Sequence, residues 1–141
     1  MSRFRIVYAT KTRHSKKIAQ AIGNALNIQA DNVPDNPVLR EVDLLFIVGG
    51  IYGGESLAEL LAFVKSLDRE KVARVALVTS CATKKQGQDT VRKLLKEKEI
   101  PVVEELICQG SFILMKMGHP NKNDIREAVD FAVRLSEGID E

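Results

Sequence analysis

The stretch Phe4-Arg5-Ile6-Val7-Tyr8-Ala9-Thr10-Lys11-Thr12-Arg13-His14-Ser15-Lys16-Lys17-Ile18-Ala19 changes periodicity partway along. Phe4 to Ala9 is a short apolar run with β-branched and aromatic members, the composition of a strand. From Ile18 onward the apolar residues fall at Ile18, Ala21, Ile22, Ala25 and Leu26, which is helical spacing with one buried face. Between the two lie three hydroxyls, Thr10, Thr12 and Ser15, together with Lys11, Arg13 and His14. A strand feeding a polar loop and then a helix is the first half of a βαβ unit.

The rest of the chain repeats the alternation. Ile28 to Ala30 reads as a brief second strand, and Asp31 to Pro37, with two prolines and two asparagines, as a loop. Leu44 to Val48 is a continuous apolar run ended by Gly49-Gly50, the mark of a strand buried on both faces. Leu57, Leu60, Leu61, Val64 and Leu67 return to helical spacing. Val75 to Val78 is another apolar strand, stopped at Thr79-Ser80, and Val91, Leu94 and Leu95 mark a third helix. Val102 to Cys108 reads as a fifth strand interrupted by Glu104 and Glu105, charges that suit a sheet edge because they discourage pairing with other chains. Ile125, Ala128, Val129, Ala132 and Leu135 form a fourth amphipathic helix, with Asn121 as its expected N-cap and Asp124 three residues on. The order β-α-β-β-α-β-α-β-α argues for an α/β domain, a parallel sheet covered by helices on both faces. No repeat, linker or low-complexity tract divides residues 1–141, so one domain is expected.

Composition narrows the function classes. Net charge is +2, from 21 basic and 19 acidic residues, too balanced for a nucleic-acid footprint. No run approaches the roughly 20 apolar residues of a membrane span. Met1-Ser2-Arg3-Phe4-Arg5 lacks the pattern of a signal peptide. A cytoplasmic monomer is the expectation, with Cys81 and Cys108 as thiols rather than a bridge.

Open parallel sheets bind ligands outside the carboxyl ends of their strands. That points to the loops Thr10–Ser15, Gly49–Ser56 and Thr79–Gln88. In the first, hydroxyls and cations meet the positive end of a helix, a combination that favours a phosphate. In the second, Gly49-Gly50 and Gly53-Gly54 let backbone approach a flat ring, and Tyr52 between them is placed to stack on one. Other uses of such a scaffold are excluded by what is missing. Thr10 and Gly49 stand where a response regulator needs acidic residues, and the first loop has no cysteine for a phosphatase. Neither a dinucleotide fingerprint nor a Walker motif occurs, and His14 and His119 have no ligand set around them for a metal.

Tyr8 to Ala19 resembles the phosphate loop of flavodoxins, whose pattern is T-x-T-G-N-T; Thr10, Thr12 and Ser15 match its hydroxyl positions. Val48-Gly49-Gly50-Ile51-Tyr52-Gly53-Gly54 looks like the second flavin loop of that family. Gly110-Ser111-Phe112 and Gly118-His119-Pro120-Asn121 look like the closing segment of its short-chain members. The resemblance runs over essentially the whole chain. It implies a flavodoxin-like three-layer α/β/α sandwich with a five-stranded parallel sheet in the order 2-1-3-4-5. It also implies FMN as cofactor, held by Thr10, Lys11, Thr12, Arg13, His14 and Ser15, by Gly50, Ile51, Tyr52, Gly53 and Gly54, and by Ser80, Cys81, Ala82 and Thr83. The implied activity is electron transfer between a flavin or iron–sulfur reductase and an acceptor enzyme, with no catalytic side chain of its own. A peptide flip in the second loop, as in the family, would accommodate a protonated N5 of the reduced flavin.

Two departures alter the expectations. Arg13 and His14 replace the family's Gly and Asn, making the phosphate end more cationic. Ser80 to Gln86 contains no aromatic where flavodoxins usually place a tyrosine over the ring. Such stacking is worth roughly 1–3 kcal/mol in nucleic-acid cases, so its loss weakens binding by about tenfold or more. Lys84 and Lys85 should favour a negatively charged reduced ring and so raise its potential, which a potentiometric titration reads directly. Two alternatives stay open at this point: a flavin-dependent reductase of the quinone-reductase type taking hydride from NAD(P)H, and a flavodoxin-like interaction module that has lost FMN.

Overall fold

In a computed structural model the described residues are 3–9, 13–51, 55–81, 87–109 and 122–140. Everything in them is arranged around β3 (Leu44–Gly50), which is buried along its whole length. β1 (Phe4–Ala9) pairs with it on one side and β4 (Val75–Cys81) on the other. β2 (Ala30–Asn32) and β5 (Val102–Gln109) complete a parallel sheet in the order β2-β1-β3-β4-β5, as the resemblance implied. Four helices are described: α1 (His14–Leu26), α2 (Ala58–Ser66), α3 (Asp89–Glu97) and α4 (Lys122–Asp140). None is long and apolar enough to cross a membrane.

Strand side chains alternate between faces, and the register sorts them into two cores. Ile6, Tyr8, Phe46, Val48 and Val78 meet Ile18 and Ile22 of α1 and Ala128, Phe131 and Ala132 of α4. Val7, Leu45, Ile47 and Leu77 meet Leu60 and Val64 of α2 and Val91 and Leu95 of α3. Ile18, Ile22, Leu60, Val64, Val91, Leu95, Ala128 and Ala132 of the predicted stripes are buried, while Ala25 is exposed and the buried stripe of α1 runs through Ser15, Ala19 and Gly23 instead. Each fully buried side chain of this size contributes about 1.5–3 kcal/mol, so the two faces carry the fold.

The second strand lies later than the sequence predicts. Ile28 lies just past the end of α1 and caps it, its N–H donating to the Gly23 carbonyl at 2.9 Å after Asn27 turns left-handed at φ 59°. β2 takes in Asp31 and Asn32, residues read as loop, and a 3₁₀ turn follows at Val33–Asp35. Tertiary partners override the poor strand propensity of these polar residues. Ala30, Asp31 and Asn32 pair with Ile6, Val7 and Tyr8, and Arg5 holds Asp31 at 2.8 Å. The expected N-cap Asn121 lies outside the described residues.

β5 is an edge strand, as its charges suggest; Glu104 stays on the exposed surface, whereas Glu105 is turned inward. A register shift against β4 skips Val103, which is 43% exposed, so that Glu104 opposes Ala76 and Glu105 opposes Leu77. Residues directly opposite share a face. Glu104 therefore lies on the α4 side, paired with Arg134. Glu105 lies on the α2/α3 side, with its side chain only 8% exposed.

Candidate functional site

The carboxyl ends of the three central strands finish nearly level. Ala9 pairs with Gly49 and Gly49 with Thr79, one residue further Gly50 pairs with Ser80, and Cys81 pairs with Gln109. The strand ends from which the loops after β1, β3 and β4 depart therefore lie side by side. The Ile51 N–H, donating to the Ser80 carbonyl at 3.0 Å, ties the start of the second loop to the end of β4. Of the residues expected to hold a ligand, the structure brings Arg13, His14, Ser15, Gly50, Ile51, Ser80 and the backbone of Cys81 to this edge. Thr10, Lys11, Thr12, Tyr52, Gly53, Gly54, Ala82 and Thr83 lie outside the described residues.

The first loop turns into α1 through Arg13, which takes a left-handed φ of 71° at the N-cap position with no side-chain cap. That conformation is uncommon for a residue with a β-carbon. Ser15 then sits in the first turn, fully buried, and its hydroxyl has no hydrogen-bond partner among the described residues. A buried hydroxyl left unpaired costs about 1–3 kcal/mol. The first turn of α1 also carries no acidic residue to neutralise the helix's positive end. A buried donor beside unneutralised helix N–H groups fits a phosphate oxygen, and so fits FMN.

The second loop is anchored where it re-enters the structure. Both oxygens of Glu55 are used: Oε1 accepts from the Ser56 N–H at 2.8 Å, and Oε2 from the Thr90 hydroxyl in the first turn of α3 at 2.9 Å. The Ser56 hydroxyl is a second buried group without a partner among the described residues.

Beneath the third loop lies a buried polar cluster that sequence reasoning missed. Glu105 Oε2 accepts from the Thr79 hydroxyl at 2.7 Å and from the Gln88 N–H at 2.8 Å; Oε1 accepts from Arg92 Nε at 2.9 Å. The fully buried Gln88 side chain donates through Nε2 to the carbonyls of Ile47 and Val78, at 3.4 and 3.1 Å, and to the Thr79 hydroxyl at 3.2 Å. Gly87 packs so tightly here that a β-carbon would fall 2.7 Å from Glu105 Cδ. The signal was present as an acidic residue inside a strand and a Gly-Gln pair just before a helix. Only the bulge in β5 decides which of the two glutamates turns inward.

On the other core face, beside α1, Tyr8 has its phenol pushed above the ordinary tyrosine range, chiefly by burial and then by the negative charges of Asp35 and Asp31. A cleft of about 820 Å³ runs along α3 and the start of β5, lined by Arg69, Arg92, Lys93 and Lys96 over Ile100 and Pro101. None of the residues expected at the ligand site lines it.

A five-stranded parallel sheet in the order β2-β1-β3-β4-β5 with helices on both faces defines the doubly wound class of α/β protein, a class in which ligands bind outside the carboxyl ends of the strands. Residues 5–130 match the flavodoxin domain family, and the chain belongs to that family. An uncharacterized protein of Methanocaldococcus jannaschii is 27% identical over 136 residues, covering 85% of this chain and 88% of its own. Among solved structures, oxidised Flavodoxin 2 from Bacillus cereus superposes with a TM-score of 0.73 at 18% identity, covering 97% of this chain and 99% of that one. A flavodoxin from the domain Archaea gives 0.68 at 16% identity and 99% coverage of both chains. The rubredoxin oxygen:oxidoreductase of Desulfovibrio gigas gives 0.75 at 9% identity, this chain matching 36% of its length. At these identities the structures establish the shared fold.

Proposed function

We propose that the protein binds FMN at the carboxyl edge of its sheet and passes electrons between a reductase and an acceptor protein. The observation that carries this reading is the buried hydroxyl of Ser15 at the first turn of α1, which has no partner among the described residues, in a chain of the flavodoxin domain family. Ser15 and the N–H groups opening α1 hold the phosphate, with Thr10 and Thr12 as further donors. Arg13 adds positive charge beside it, and His14 a further nitrogen donor. The backbone at Gly50 and Ile51, with Tyr52 beyond, receives the ring on one side; Ser80 to Thr83 form the other. When bound, the flavin supplies one- and two-electron chemistry, and the protein's part is to bind, orient and tune it.

The test is reconstitution followed by reduction. Apoprotein mixed with FMN and gel-filtered should retain visible flavin absorbance. That absorbance should bleach under a reductase with NADPH but not under NAD(P)H alone. Bleaching by the nicotinamide alone would mark a reductase instead of a carrier. Loss of all flavin on the column would overturn the cofactor assignment.

A further inference from the structure

We propose that Glu105 is a positioning residue for the flavin, a single carboxylate that fastens both ends of the loop between β4 and α3. The inference rests on the FMN reading above, and it concerns a residue remote in sequence from every flavin loop. Thr79 precedes that loop and Gln88 follows it, and both donate to the same oxygen, Glu105 Oε2, at 2.7 and 2.8 Å. The other oxygen is held by Arg92 one turn into α3, which fixes the carboxylate's orientation. The bonds are short and the carboxylate is almost fully shielded from solvent, so the arrangement is not a solvated surface pair.

Two further contacts extend the hold to the second loop. Gln88, placed by Glu105, reaches the Ile47 carbonyl in β3, two residues before Gly49. Thr90, in the same helical turn, donates to Glu55 at the far end of the second loop. The α3 start is therefore the point at which both ring-side loops are referenced to the sheet. Gly87 belongs to the same device, because any side chain there would displace the carboxylate. A glutamate on the outermost strand thus holds Thr79 and Gln88, the described ends of the β4–α3 loop, to one carboxylate.

The chemistry of the carboxylate predicts a graded series. Glu105→Gln can keep its amide oxygen toward Thr79 and Gln88 while losing Arg92, so the loop ends stay fastened. Glu105→Ala releases them. Thr79→Val removes the hydroxyl that donates to the carboxylate and accepts from Gln88 Nε2, leaving Glu105 itself in place. Glu104→Gln, on the opposite face, is the control.

Two readouts decide the matter. In amide hydrogen exchange of the apoprotein, the Gln88 N–H should lose protection in Glu105→Ala and keep it in Glu105→Gln, with Leu77 in the core protected in both. In fluorescence titrations, Glu105→Ala should weaken FMN and riboflavin equally, by about tenfold or more, the scale of losing bonds to a charged acceptor. Glu105→Gln and Glu104→Gln should stay near wild type. Equal loss for both ligands identifies a ring-side effect, since a phosphate-side change spares riboflavin. If Glu105→Ala fails to fold, Thr79→Val carries the same two measurements. Unchanged flavin affinity in the released variant overturns the proposal, whether or not Gln88 loses protection. Wild-type protein that binds neither flavin overturns the FMN reading itself, while the exchange data still report whether Glu105 fastens the loop.

Discussion

Replacing Ser15 with alanine sets two effects of opposite sign against each other. In the apoprotein the hydroxyl is fully buried and makes no hydrogen bond among the described residues, so folding gives up its hydration without recompense. Removing it should leave the apoprotein as stable as before or up to about 1–3 kcal/mol more stable, equivalent to about 2–4 °C of melting temperature per kcal/mol at this size. If FMN binds as proposed, the same hydroxyl would donate to a charged phosphate, a bond worth about 1.5–3 kcal/mol. Its loss should raise the FMN dissociation constant by about ten- to a hundredfold. Riboflavin, which lacks the phosphate, should bind both proteins equally. Differential scanning fluorimetry of the apoprotein and fluorescence titration with the two ligands measure all three quantities. A destabilised apoprotein with unchanged FMN affinity would refute the reasoning, because Ser15 would then be an ordinary structural residue of α1.

Gly49→Ala should destabilise the fold by about 1–3 kcal/mol, the usual cost of overpacking a filled core. A β-carbon at that position would stand 2.8 Å from Leu60 Cδ2 and 3.2 Å from Gln88 Oε1, and both side chains are enclosed. A lowered urea midpoint at constant m-value is expected; an unmoved midpoint would show that Leu60 can step aside. Stability should also fall in alkali because of Tyr8. Its phenol is raised in the folded state, so its stabilising contribution is complete below the unfolded tyrosine pKa of about 10 and is lost as pH rises through the higher folded value. Tyr8→Phe should remove that part of the decline in thermal melts between about pH 9 and 12, and identical slopes for the two proteins would contradict the assignment.

The fold was legible where one residue's burial follows from its own chemistry and spacing. Leu44 to Val48 and Val75 to Val78 are apolar without interruption, and both are strands buried on both faces, as is β1 from Ile6 to Ala9. Ile18 with Ile22, Leu60 with Val64 and Val91 with Leu95 stand four apart and are the buried stripes of their helices. Legibility failed where a distant partner decides. Ala30-Asp31-Asn32 has no strand character of its own and is extended because β1 offers it a ladder and Arg5 a charge. Glu104 and Glu105 are indistinguishable in composition; a bulge at Val103 turns one to Arg134 and the other into the α3 cluster. At the site, Ser15 could be recognised by its hydroxyl and its place before a helix. Its burial without a partner among the described residues, which separates a ligand donor from a plain cap, is a property of the packed structure.

Titration of the apoprotein with FMN, run beside Thr12→Ala and Tyr52→Ala, puts the assignment of the loops to a single cofactor at stake. Saturable single-site binding is expected for the wild type. Thr12→Ala should weaken FMN but not riboflavin, as a phosphate donor would, and Tyr52→Ala should weaken both, as a ring contact would. Absence of binding, or affinities unchanged in both variants, would contradict the placement of FMN at the carboxyl edge of this sheet.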